Sequence, residues 1–220
     1  MSPPLVLAIT GASGAVYAVR LLDLLVQTGI DVHLLVSPSG QAVLLQELGV
    51  HCDLQQFDPQ VLLKAARTSP LLERPGRVAD EAKLNNPPGA IVYHRHNDFM
   101  TPVASGSFLT RGMVICPCSG STLSGIAHGS SNNLVHRAAD VHLKERRRLI
   151  LVPREAPLSI IQLENMRRAA EAGAVVLPAM PGWYHGVSCL ADLVDFVVAR
   201  ILDQLEVPHQ LMRRWGEKPQ

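Results

Sequence analysis

Aromatic residues are scarce in this chain. Three tyrosines, two tryptophans and four phenylalanines make up only 4% of its 220 residues, so any core must be built from Leu, Val, Ile and Ala. Charge is sparse as well: Asp, Glu, Lys and Arg total 18% and balance to a net +1, which removes the electrostatic ground for a nucleic-acid partner. The most basic run, Lys144-Glu145-Arg146-Arg147-Arg148, reads as a solvated helix end ahead of a strand. No apolar stretch approaches the ~20 residues that a bilayer-spanning helix requires, and nothing reads as a secretory leader. Four cysteines, Cys52, Cys116, Cys118 and Cys189, do not make a disulfide framework at this size, and the protein is expected to be reduced and cytoplasmic. The C-x-C formed by Cys116-Pro117-Cys118, at the end of a strand, reads as buried inert thiols, with a metal or redox role as the alternative. The G-x-S-x-G of a serine hydrolase is missing. So is any His, Cys or carboxylate spacing suited to zinc, since His94-Arg95-His96 would alternate faces on a strand. What the chain does have is 47% apolar residues, enough for one core and one domain, with a greasy balance that points to self-association.

Leu5-Val6-Leu7-Ala8-Ile9 is a continuous apolar run, broken by Thr10-Gly11-Ala12-Ser13-Gly14 and followed by helical periodicity over 16–26. After Gly29 a second run, Val32-His33-Leu34-Leu35-Val36, closes a β-α-β unit, and a mostly parallel sheet follows from it. Further strands are expected at 90–94, 112–116, 149–152 and 174–177. Helices are expected at 41–47, 122–128, 135–145, 160–172 and 190–205. Residues 68–89, rich in Pro, Gly and Asn, read as a surface excursion. The class is α/β.

The Gly11-Ala12-Ser13-Gly14 turn, between a first strand and a first helix, either presents free N–H groups and a helix dipole to a phosphate or is a plain structural turn. Its spacing is not the dinucleotide pattern, and Ser37, at the end of the second strand, stands where a ribose-binding acid would be expected. Ser105-Gly106-Ser107 and Ser119-Gly120-Ser121-Thr122 are two more hydroxyl-rich turns, readable as loops, as N-caps or as part of the same ligand edge. Arg137 and Lys144 lie seven residues apart on one predicted helix, with Arg154 soon after and Arg200 on the last helix. Singly each reads as a solvated charge; jointly they could hold a phosphate dianion without a metal. Arg154-Glu155 follows the run Leu149-Ile150-Leu151-Val152-Pro153 and is bracketed by Pro153 and Pro157. A cation and a carboxylate on a stiff segment at a strand's end suit the handling of an anion and a proton.

Taken in order, Thr10-Gly11-Ala12-Ser13-Gly14-Ala15, Ala104-Ser105-Gly106-Ser107, Arg137-Ala138-Ala139-Asp140-Val141, Leu143-Lys144-Glu145-Arg146-Arg147, Val152-Pro153-Arg154-Glu155-Ala156-Pro157, Pro181-Gly182-Trp183-Tyr184-His185 and Arg214-Trp215 resemble the UbiX-type flavin prenyltransferases. The resemblance implies a flavodoxin-like (Rossmann-like) three-layer sandwich. It also implies transfer of a dimethylallyl group from dimethylallyl monophosphate to N5 and C6 of reduced FMN, without a metal. The product, prenylated FMN, would go to a UbiD-type decarboxylase, in bacteria often for ubiquinone synthesis. Carried over by motif, Gly11, Ala12, Ser13, Ser37, Ser119, Gly120, Ser121, Thr122 and Arg154 would hold FMN. Glu155, Lys144, Arg137, Tyr184 and Ser13 would be catalytic. Ser105, Gly106, Arg200, Phe99 and Trp215 would join Arg137, Lys144, Glu155 and Tyr184 around the prenyl phosphate. The family also implies a homo-oligomer, often a dodecamer, on which residues 207–220 would dock against a neighbouring subunit. The chain departs from the family in carrying Phe99 where Trp is common, Pro38-Ser39-Gly40 after Ser37, and a longer 68–89 excursion.

Two other readings share the sheet. An FMN-dependent cysteine decarboxylase would carry a Pro-Ala-Ser-Ala-Asn-Thr type stretch, whereas this chain has Pro102-Val103-Ala104-Ser105-Gly106-Ser107. A non-catalytic flavin-binding regulatory subunit would need neither Glu155 nor the phosphate-binding cations.

Overall fold

Five consecutive buried residues, Leu5–Ile9, form strand β1. A run with no polar alternation is what a strand covered on both faces requires. In the computed structural model, which describes residues 3–74, 87–212, 214 and 216, β1 lies inside a six-stranded sheet with β2 (Val32–Val36), β3 (Ile91–His94), β4 (Gly112–Cys118), β5 (Leu149–Pro153) and β6 (Val175–Val176). The order is β3-β2-β1-β4-β5-β6, and every pairing among the described strands is parallel. The expectation of a mostly parallel sheet thus becomes a wholly parallel one.

Helices α1 (Ala15–Gln27), α2 (Pro38–Leu48), α3 (Gln60–Thr68) and, from the chain's end, a helix over Leu190–Gln204 supply the apolar cluster on one face. Helices α4 (Gly120–Ala127), α5 (Leu134–Lys144) and α6 (Ile160–Glu171) supply the cluster on the other, and Leu190–Gln204 is therefore α7. This is the three-layer α/β sandwich. The chain runs outward from β1 through β2 to β3, then returns to β4 on the far side of β1. The β1/β4 boundary is thus the topological switch point, outside whose carboxyl ends open α/β sheets bind ligands.

Three differences from the sequence reading have local causes. Helix α3 lies where no helix was expected; its buried Leu62, Leu63, Ala65 and Ala66 pack against α1, but nine residues between prolines give a weak periodic signal. Helix α2 begins at Pro38 rather than at 41, because Ser37 caps it by accepting from Gly40 N–H and proline is well suited to the first helical position. Strand β4 continues through Pro117 to Cys118, because its register with β5 is irregular between Ile115 and Cys118, the kind of place where a strand tolerates proline. Strand β3 ends at His94, so Arg95 and His96 lie in the following turn. Part of the 68–89 excursion, residues 75–86, is outside the described residues, as is Trp215.

His33 of β2 and His94 of β3 stack with ring centroids 4.9 Å apart and Nδ1···Nε2 at 2.7 Å, beneath Phe108. Burial, with His33 adding to it, pushes the His94 imidazole down from 6.5 to about 4. A histidine lowered in the fold binds fewer protons there than in the unfolded chain. Its contribution to stability is therefore whole above pH 6.5 and is lost as pH falls toward about 4. Urea midpoints measured across that window should fall with pH, and His94→Gln, which can still hydrogen-bond His33, should flatten the slope. An unchanged slope would place the acid sensitivity elsewhere.

Candidate active site

The turn after β1 begins with Thr10, which is 1% exposed. Its hydroxyl donates to Pro117 O and accepts from Ser119 N–H, both at 2.8 Å, so one side chain ties the β1 turn to the β4 turn across the switch point. Gly14 follows with φ 119°, a conformation that only glycine adopts without penalty, and opens α1. The dipole end of α1 is not open to a ligand, as the sequence reading allowed. The carboxylate of Glu47, on α2, accepts from Gly14 N–H at 3.0 Å and from Ala15 N–H at 2.8 Å. This long-range cap was invisible in sequence, since Glu47 lies 33 residues from Gly14 and in another helix. Burial, with Cys116 and Glu47 nearby, also pushes the Tyr17 phenol up. Among the described residues, the amides of Gly11, Ser13, Gly120 and Ser121 have no acceptor within the chain, so the donors open to an anion flank the β1/β4 crevice. Ala12 N–H is turned back onto Thr10 O. Ser37 contributes its hydroxyl from the start of α2, 8% exposed.

Across the crevice, Ser119 caps α4 by accepting from Thr122 N–H at 3.3 Å, and its hydroxyl also meets those of Ser121 (3.2 Å) and Thr122 (2.9 Å). Beside this cluster, β5 delivers the exposed pair Arg154 and Glu155. Glu155 is oriented rather than free: Oε1 accepts from Ala156 N–H at 3.2 Å and Oε2 from Gln162 Nε2 at 3.3 Å. Gln162 belongs to the capping box of α6, where its own Oε1 accepts from Ser159 N–H at 2.8 Å, so a helix start holds the carboxylate in place. Sequence reasoning missed Gln162; the Ser159-x-x-Gln162 spacing was the available signal. Among the described residues, Arg154 has neither hydrogen bond nor ion pair, which leaves its full fork for a ligand.

A third group gathers around residues 104–108. Arg137 Nε donates to Ala104 O at 3.0 Å while Nη1 pairs with Asp140 at 2.9 Å. Lys144 pairs with Glu145 at 2.5 Å. A Cβ added at Gly106 would stand 2.2 Å from Glu145 Oε1 and 2.9 Å from Lys144 Nζ, so the backbone passes directly against this ion pair, whose flexible ends would have to shift for a larger residue. Ser105 and Ser107 are exposed, with hydroxyls 2.9 Å apart. The structure thus brings Ser105, Gly106, Arg137 and Lys144 to one place. Tyr184 and Arg200 stand on another: Tyr184 is edge-on to Phe196 of α7, and Arg200 pairs with Asp203 at 2.7 Å. Phe99 is exposed in the turn after β3. Cys116 and Cys118 are buried as expected; burial pushes the Cys116 thiol up and Cys118 to about 12, which suppresses thiolate chemistry.

The carboxyl edge of the sheet therefore offers open amides, hydroxyls and Arg154 for a phosphate group, and one oriented carboxylate for a proton, whereas Lys144 and Gly106 lie toward the strands' amino ends, where α5 leads into β5 and the chain enters β4. Residues 2–202 match the family model described as Flavoprotein. The chain is 50% identical over 220 residues to the flavin prenyltransferase UbiX of Pseudomonas aeruginosa, covering 99% of this chain and 97% of that protein. Among solved structures it is similar to AnUbiX (PadA1) in complex with FMN and dimethylallyl pyrophosphate, with a TM-score of 0.79 and 33% identity over 100% of both chains. It is also similar to a dodecameric FMN-dependent UbiX-like decarboxylase of Escherichia coli O157:H7, with a TM-score of 0.78 and 35% identity over 97% of this chain and 100% of that one.

Proposed function

The chain belongs to the flavoprotein family, within it to the UbiX-type flavin prenyltransferases, and from that premise we propose how its residues divide the reaction. It is a prenyltransferase that takes FMN and a dimethylallyl phosphate and makes prenylated FMN. The fit to FMN rests on the crevice itself. Open amides at Gly11, Ser13, Gly120 and Ser121, hydroxyls at Ser37, Ser119, Ser121 and Thr122, and the unpaired Arg154 suit a ribityl phosphate. When bound and reduced, FMN would supply the aromatic face and a nucleophilic N5 for the allyl carbon that loses phosphate, and closure at C6 would require a proton gained by the allyl double bond and the C6 proton lost.

The rest is work for the chain. Arg137, Lys144 and the Ser105–Gly106 backbone hold the prenyl phosphate, and their fixed charges stabilise the negative charge that grows on it as the allylic C–O bond breaks. No metal ion is required for this, because Arg137 and Lys144 supply the positive charge themselves. Glu155, held by Gln162, accepts the ring proton lost on closure. Ser13, on the crevice wall, orients the reacting face, while Tyr184, Arg200, Phe99 and Trp215 complete the prenyl-phosphate pocket, which meets the crevice at a subunit junction of the homo-oligomer. The whole chain is one FMN-binding domain whose tail, 207–220, docks on a neighbouring subunit. A UbiD-type decarboxylase receives the product. No helix among the described residues is long and apolar enough to cross a membrane.

The observation that carries the function is likeness to a flavin prenyltransferase along the whole chain. Under anaerobic conditions, protein with FMN, dithionite and dimethylallyl monophosphate should yield a flavin heavier by one prenyl unit in the mass spectrum. The diphosphate, run in parallel, tests donor choice. An unchanged flavin mass with both donors would overturn the reading, and release of carbon dioxide from a peptidyl cysteine would favour the cysteine-decarboxylase alternative.

A further inference from the structure

Arg147 belongs to the basic run after α5 that the sequence presents as solvated charge, yet it is the main hold on residues 106–108. Nη1 donates to Phe108 O at 2.7 Å and Nη2 to Gly106 O at 2.5 Å, from a half-buried position. A guanidinium fork bound to two carbonyls of one turn fixes that turn far better than a single-point donor does. With Arg137 on Ala104 O, two arginines grip three carbonyls within five residues. Within the turn, Phe108 N–H donates to Ser105 O at 3.3 Å and Ser107 N–H reaches Ser105 Oγ at 3.4 Å, so its own bonds are long.

The end of α5 is shaped to aim Arg147 at this turn. Arg146 has φ 53°, a left-handed conformation unfavourable for a side-chain-bearing residue. It permits a Schellman ending, with Arg146 N–H donating to Leu143 O at 3.1 Å and Arg147 N–H to His142 O at 2.8 Å. The chain reverses there, and Arg147 faces back along α5 toward Gly106, beside Lys144 and Glu145. Strain of this kind persists where surrounding contacts over-determine it, and here those contacts are the two carbonyls.

We propose that Arg147 is a positioning residue for the prenyl-phosphate turn: it sets the Ser105–Gly106 backbone against Lys144 and so defines where the donor phosphate sits. The proposal rests on the reading of that turn as the phosphate site. It predicts an effect on donor binding rather than on the bond-breaking step, since Arg147 spends its fork on the protein.

The test compares Arg147→Lys, Arg147→Met and Ser105→Ala in the full-length, FMN-loaded protein, with steady-state kinetics in dimethylallyl monophosphate and FMN affinity measured by flavin fluorescence. Both Arg147 variants should raise KM for the donor about tenfold or more, as expected for one or two lost charge-assisted bonds, with kcat and FMN affinity changed far less. Normal KM in Arg147→Lys with a raised KM in Arg147→Met would overturn positioning in favour of charge alone. Normal KM in both, with Ser105→Ala impaired, would overturn the brace and leave the phosphate site standing. Normal KM in Ser105→Ala would remove the site reading and the proposal with it. Should Arg147→Met fail to fold, Arg147→Lys still decides, read together with amide hydrogen exchange over 105–109, which should speed up.

Discussion

Glu155→Gln should fold, bind FMN as the parent does, and form prenylated FMN about 10²–10⁴-fold more slowly, the range expected when a general acid–base is removed. The substitution keeps the shape of the side chain and one acceptor oxygen, so either the bond from Ala156 N–H or that from Gln162 Nε2 can survive. What it removes is the ability to take a proton. The exposed Arg154 next door is unchanged by it, which is why cofactor affinity and turnover should separate. Single-turnover mass spectrometry and an FMN titration on the same preparation read the two quantities. The competing acceptor is the phosphate released from the donor, already close to the reacting ring. If phosphate takes the proton, Glu155→Gln will turn over normally, and Glu155 then has only a shaping role. Gln162→Ala offers a graded check, because it withdraws the orienting donor and leaves the carboxylate in place. Its loss should be smaller than that of Glu155→Gln, and a larger one would mean that the α6 cap is needed for folding.

Much of the architecture was legible because it depends on local pattern. The uninterrupted apolar runs at β1 and β5, and that at β2 broken only by His33, could be buried strands only if both faces were covered, and that condition dictates helices on either side. The switch point was not legible, since it depends on β4 returning to the far side of β1. Ser105-Gly106-Ser107 and Ser119-Gly120-Ser121-Thr122, readable as one ligand edge, are not one, because residues 106–108 are held by Arg147 ahead of β5 and lead into β4, whereas Ser119 follows the end of β4. What also escaped the sequence was every feature made by a side chain reaching across many residues. Glu47 fills the dipole end of α1, and nothing near Gly14 announces it. Arg147 looked like one charge in a basic run, and only the reversal at Arg146 shows it turned inward. Helix α3 was missed because its apolar face is short and its neighbours are prolines, so packing on α1 rather than periodicity decides it. Tyr184 and Arg200 show the limit from the other side: their motif assigns them to the substrate, and within one chain their contacts run to Phe196 and Asp203.

Thr10→Val should cost about 1–3 kcal/mol of stability and weaken FMN binding by about tenfold or more. The two side chains have nearly the same shape, so packing at this 1%-exposed position is kept and only the hydroxyl's bonds are lost. Those bonds are unequal in consequence. Pro117 O keeps a partner, because Thr10 N–H also donates to it at 3.2 Å. Ser119 N–H loses the acceptor it has at 2.8 Å and is left without one at the crevice wall. The penalty of an unmet donor therefore falls on Ser119, the N-cap of α4 and the anchor of the Ser119-Gly120-Ser121-Thr122 turn. A relaxed turn moves its open amides away from those of Gly11 and Ser13 on the facing wall, and the two sets no longer converge on one phosphate. Thr10→Ser keeps the hydroxyl and should restore most of the FMN affinity, although it leaves a methyl-sized gap. Urea unfolding of apo protein gives the first quantity and fluorescence titration with FMN the second. If Thr10→Val lowers stability but binds FMN normally, the clamp across the switch point supports the fold alone. If FMN affinity falls while apo stability holds, Thr10 acts on the ligand crevice directly.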